Sequence, residues 1–69
     1  MSDATFKIVE LTGTSSEGVD DAIRSGIARA GKTLRNLDWF QVTDIRGYLG
    51  EGEVQYFQVT MKVGFKLDE

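Results

Sequence analysis

The side chains able to do chemistry in this sequence are few, and most of the catalytic repertoire is missing. There is no Cys and no His. That excludes disulfides, thiolate nucleophiles, Cys/His zinc sites, imidazole acid–base catalysis and every His-containing triad. Carboxylates such as Glu10, Asp38 and Asp44 can act as acid or base, but nothing in their spacing places two of them in one cleft. Gly47, Gly50 and Gly52 make a glycine-rich segment. It lacks the Lys-Ser/Thr ending of a phosphate-binding loop and precedes a strand. What remains is aromatic and amide chemistry. Trp39 is the only Trp and offers an indole face for stacking. Gln58 offers an amide that donates and accepts hydrogen bonds together.

The chain that must position these groups has 69 residues, enough for one domain, 1–69. A chain so short buries only about 60% of the surface its unfolded form exposes. Without cross-links or a Cys/His metal site, it must be a well-packed monomer or an oligomer. Hydrophobic residues are 41% and charged residues 28%, a globular mix and not a disordered one. The net charge of −3 argues against a nucleic-acid binder, which needs a basic face. No apolar run approaches the roughly 18 residues of a membrane span. The N-terminus carries no basic stretch followed by an apolar one, so no signal peptide is expected and the cytoplasm is the default location.

Four elements are expected. Residues 5–12, with Phe6, Ile8, Val9 and Leu11, read as a strand. Val19, Ile23, Ile27, Ala30 and Leu34 form one stripe of a helix over roughly 16–34. Thr14 and Glu17 have capping-box spacing, with Ser15 or Ser16 as alternative caps. Asp20 and Arg24 form an i,i+4 pair. Ala22, Gly26 and Ala30 draw a line of small residues, fitted either to close packing on a sheet or to a neighbouring subunit. Residues 38–48 read as a second strand, and 53–67 as a third with clear alternation. The order β-α-β-β makes the first two strands run the same way. A fully antiparallel sheet then needs the third in the middle. The fold class is α+β, a three-stranded antiparallel sheet in order 1-3-2 packed on one long helix.

Register carries the functional expectation. A turn centred near Gly50-Glu51 sets Val42 opposite Val59 and Thr43 opposite Gln58. Phe40, Val42, Phe57, Val59 and Met61 then face the helix. Trp39, Gln41, Thr43, Ile45, Gln58, Thr60 and Lys62 occupy the other face. Asp44, Arg46 and Tyr48 lean to the helix side by parity, unless an edge bulge re-aims them. An exposed face with a Trp and two amides fits an interface or a ligand platform better than a solubility face. Trp39 and Gln58 stand four residues out of register, roughly 13 Å apart at about 3.3 Å per residue. One chain's pair is too far apart to grip one small ring.

Several stretches then carry a resemblance. They are Val9-Glu10-Leu11-Thr12-Gly13-Thr14-Ser15, Arg35-Asn36-Leu37-Asp38-Trp39-Phe40, Ile45-Arg46-Gly47, Phe57-Gln58-Val59 and Val63-Gly64-Phe65. Together they resemble the dodecins, in their bacterial form, over nearly the whole chain. The resemblance implies a hollow homododecamer with flavin pockets on two-fold axes. It implies flavin rings stacked in pairs between symmetry-related Trp39 side chains, with Gln58 bonded to the polar edge of the ring. It implies Asp44 at the ribityl chain and Arg46 near the flavin or its phosphate. FMN is the implied flavin, with riboflavin or FAD as alternatives, and coenzyme A is a further ligand of some members. Tyr48 departs from the polar residue, commonly His, of bacterial members. The implied function is flavin storage with photoprotective quenching, and not catalysis. A cofactor-free self-assembling module is the alternative.

Overall fold

The computed structural model describes residues 3–68. β1 spans Phe6–Ser15, α1 Val19–Ala30, β2 Leu37–Gly50 and β3 Glu53–Lys66. The sheet is antiparallel with order β1-β3-β2, the topology expected from the element order. β3 is central because only its alternation serves both neighbours. Its odd residues Val59, Met61 and Val63 are fully buried beneath the helix, together with Ala22. Leu11, Val19, Ile23, Ile27 and Val42 pack around them.

The helix is shorter than its apolar stripe. Gly18 is its extended N-cap and has no side-chain capping bond. The Thr14/Glu17 capping box does not form. Ser15, already at the end of β1, does related work: its Oγ accepts from the Glu17 N–H (2.9 Å) and donates to Asp21 Oδ2 (2.6 Å). This Ser turn ties strand to helix. At the other end, the Lys32 and Thr33 N–H groups bond to Arg29 and Ala30 carbonyls. These i→i+3 bonds tighten the chain into a terminal turn. Asp20 and Arg24 pair at 3.0 Å on the exposed face.

The line of small residues packs on the sheet. A Cβ on Gly13 would lie 2.1 Å from the Ala22 carbonyl oxygen, and one on Gly26 would lie 3.3 Å from the Leu11 side chain. Helix and β1 therefore approach at backbone distance. The helix lies mainly over β1 and β3 and only grazes β2, where Leu37 and Val42 reach the core. Phe40 and Ile45 on β2 are consequently about half exposed, at 48% and 54%.

Register differs from the expected one in two ways. The β2–β3 turn is centred on Glu51-Gly52, both with positive φ (54° and 80°), a type I′ geometry. Val42 therefore faces Met61, two residues from the expected Val59. A two-residue shift keeps every side chain on its face. The second difference does not. A bulge between Val42 and Asp44 leaves Thr43 outside the ladder and reverses parity from Asp44 to Tyr48, where another shift, between Tyr48 and Leu49, ends that register. Asp44, Arg46 and Tyr48 pair with Thr60, Gln58 and Tyr56 and so stand on the face away from the helix. Ile45 pairs with Val59 on the helix side, not on the outer face where plain alternation puts it.

The two ends of the sheet are finished differently. Asn36 has φ 65°, a conformation Asn tolerates better than most residues. Its amide donates to the Lys66 carbonyl (3.1 Å) and to Asp68 Oδ1 (2.9 Å). Arg35 pairs with Asp68. Arg35, then Asn36, hold the Asp68 carboxyl below its ordinary pKa. At the far end β1 stops at Ser15, opposite Phe57. The hairpin tip beyond it is two-stranded.

Candidate functional site

The face away from the helix gathers the residues singled out from sequence. Trp39 lies directly opposite Gly64, which is paired on its other side with Ile8. A register shift between Leu37 and Trp39 precedes it, one of three in the β2–β3 ladder. The indole lies over the bare Gly64 backbone. A Cβ on Gly64 would sit 2.2 Å from Trp39 Cε2, 2.3 Å from Cζ2 and 2.6 Å from Nε1. Phe6 flanks the indole at 6.4 Å between ring centroids, tilted by 53°. Trp39 nonetheless remains 37% exposed.

Gln58 sits between Thr14 on β1 and Arg46 on β2. Arg46 is held in turn: its Nε donates to Asp44 Oδ2 at 3.0 Å, and its terminal nitrogen lies 2.9 Å from the same oxygen. Tyr48, then Asp44, raise the Arg46 pKa above its already high ordinary value, so the guanidinium is permanently charged. Tyr48 stacks on Tyr56 with centroids 4.9 Å apart and planes 14° from parallel. Next to Gln58, the Thr12 and Thr60 hydroxyls share a hydrogen bond of 3.0 Å, and Thr43 Oγ1 donates to the Thr60 carbonyl.

Gln58, Asp44 and Arg46 thus form one polar cluster, and Trp39 stands apart from it. Six residues of β3 separate Gly64, beneath Trp39, from Gln58, about 20 Å at about 3.3 Å per residue. The separation exceeds the one expected from sequence, because the turn lies further along the chain. No small ring can touch both in one chain. A concavity of about 460 Å³ beside Leu11, Thr14, Ser25, Gly26 and Arg29 includes neither Trp39 nor Gln58. Among the described residues, no group of three or more acidic, His or Cys side chains could hold a metal ion. No described helix is long and apolar enough to cross a membrane.

Sequence reasoning did not single out Gly64 and Phe6 as parts of the site. One signal for Gly64 was present. A glycine inside the most regular strand marks a close approach by something else.

Comparison with known proteins places this geometry in context. A family model described as Dodecin matches residues 5–68. A curated protein named Dodecin, from Thermus thermophilus, is 56% identical over 64 residues, covering 93% of each chain. A solved dodecin from Streptomyces davaonensis is 57% identical with a TM-score of 0.93, covering 99% of this chain and 100% of that one. A more distant match is a calcium dodecin from Mycobacterium tuberculosis, described as a calcium-chelating immunodominant antigen. It is 18% identical with a TM-score of 0.80, covers 93% of this chain and 91% of that one, and shares the fold alone.

Proposed function

The chain belongs to the dodecin family, and from that premise we propose that it binds and stores flavin in pockets built between copies of itself. The ligand is FMN or riboflavin. Each isoalloxazine stacks on the free face of a Trp39 indole, and pairs of rings lie between symmetry-related Trp39 side chains of a homododecamer. Gln58 of another copy bonds the pyrimidine edge of the ring, where adjacent C=O and N–H groups need an acceptor and a donor together. Asp44 takes the ribityl hydroxyls. Arg46, fixed by Asp44, meets the phosphate of FMN.

The observation that carries this reading is the distance between Trp39 and Gln58. Both stand on one exposed face, yet about 20 Å of strand separates them. A pocket shared by subunits brings one copy's Trp39 to another copy's Gln58. The uncovered side of β2, with Phe40 and Ile45 half exposed, supports association because burying apolar area drives it. Stored flavin is protected from its own photochemistry. An indole in van der Waals contact gives an electron to the excited ring and recovers it, so the light energy is lost as heat. The protein is a binding protein and not an enzyme, since a ring covered on both faces admits no substrate.

The test is a titration of FMN fluorescence with the purified protein. Emission should fall at micromolar protein. Trp39→Ala should weaken binding by about 2–3 kcal/mol, roughly a hundredfold, through lost stacking and apolar contact. Unquenched emission, or equal binding by Trp39→Ala, sinks the flavin reading.

A further inference from the structure

We propose that Gly64 is the positioning residue that sets the plane of the Trp39 indole before any ligand arrives, with Phe6 as its lateral stop. As a device for presenting a stacking surface it rests on the flavin reading above. Three atoms of the indole lie where a Cβ on residue 64 would be, at 2.2 to 2.6 Å. Those atoms belong to the rigid ring system, so no small side-chain adjustment relieves the overlap. An alanine here forces the indole into another of the few staggered arrangements open to Trp. Phe6, paired with Lys66 on β1, lies on the same face at 6.4 Å and bounds the ring on that side. Gly64 itself is buried. One face of the indole is therefore closed by backbone and the opposite face is left open.

The consequence is preorganisation. A Trp free to sample several rotamers must be immobilised by its ligand, which costs affinity. Here the sheet immobilises it in advance. A cross-strand aromatic over a glycine also stabilises a sheet, and that contribution must be separated from the positioning role. Trp39 is the only Trp, so its emission and near-ultraviolet circular dichroism report its setting directly.

The experiment compares wild type with Gly64→Ala and Phe6→Leu, each in the full chain. Native mass establishes assembly, the Trp39 signals are recorded without flavin, and FMN is then titrated. Gly64→Ala should assemble like wild type, change the Trp39 signals and bind FMN about tenfold more weakly or worse. The FMN it does bind should regain part of its emission. Phe6→Leu should shift the same signals less. Unchanged Trp39 signals in Gly64→Ala, or FMN binding and quenching within about twofold of a quenching wild type, overturn the proposal. Should Gly64→Ala not assemble, Phe6→Leu decides: unchanged Trp39 signals and unchanged FMN binding overturn it. If wild type leaves FMN emission intact, the flavin reading fails, while the Trp39 signals without flavin still decide the positioning role.

Discussion

In the proposed flavin pocket, Arg46 is the residue through which the choice of flavin can be read. Its guanidinium is charged at every accessible pH and is oriented by two nitrogen contacts to one oxygen of Asp44. Riboflavin and FMN share the ring that the proposed pocket sets against Trp39 and Gln58, and differ by the phosphate. Arg46→Ala should therefore weaken FMN about tenfold, as the loss of a charge-assisted hydrogen bond does, and leave riboflavin nearly unchanged. Parallel titrations of the two ligands check this. An equal loss for both would place Arg46 at the ring or ribityl chain instead of the phosphate. That Trp39 and Gln58 share a face was legible in the sequence, because it follows from parity alone. The facing of Asp44 and Arg46 was not. It depends on one bulged residue, Thr43, and no residue type in Asp38-Trp39-Phe40-Gln41-Val42-Thr43 marks where a bulge must fall.

At the scale of elements, the alternation of β3 and the apolar stripe of α1 fixed topology and core. The ends of elements depended on local bonds that composition does not announce. Ser15 turned the chain toward the helix from within β1; Thr14 is held in β1 opposite Gln58 and the N-cap is Gly18, so the capping-box pattern at Thr14 and Glu17 falls ahead of the helix. The hairpin turn shows a cost of the same kind. Glu51 occupies the left-handed region at φ 54°, where a non-glycine side chain is strained and Asn is better tolerated. Glu51→Asn places Asn-Gly, the favoured type I′ pair, at the turn. It should raise stability by about 1 kcal/mol, seen as a higher denaturant midpoint with flavin binding unchanged. A lower midpoint would mean that Glu51 has a role the turn geometry does not reveal.

The whole chain is too extended to be at ease alone. Its radius of gyration is 14.4 Å, against about 11 Å for a compact domain of this length. Its fully buried core is Ala22, Val59, Met61 and Val63, and the two-stranded hairpin tip projects beyond β1. Shortness without cross-links pointed toward association, and the uncovered side of β2 gives that association a surface. Ile45→Asp puts an unpaired charge on that surface, a penalty of about 3–5 kcal/mol per copy if it is buried. It should break the assembly and abolish FMN quenching, although Ile45 stands on the opposite face from Trp39 and Gln58. The most direct test of a pocket made between copies is native mass spectrometry of the untreated protein with added FMN. The account predicts a dodecamer carrying flavin, with neither ligand nor assembly surviving in Ile45→Asp. A monomer that holds FMN as tightly as the assembled form, or a dodecamer that holds none, would contradict it.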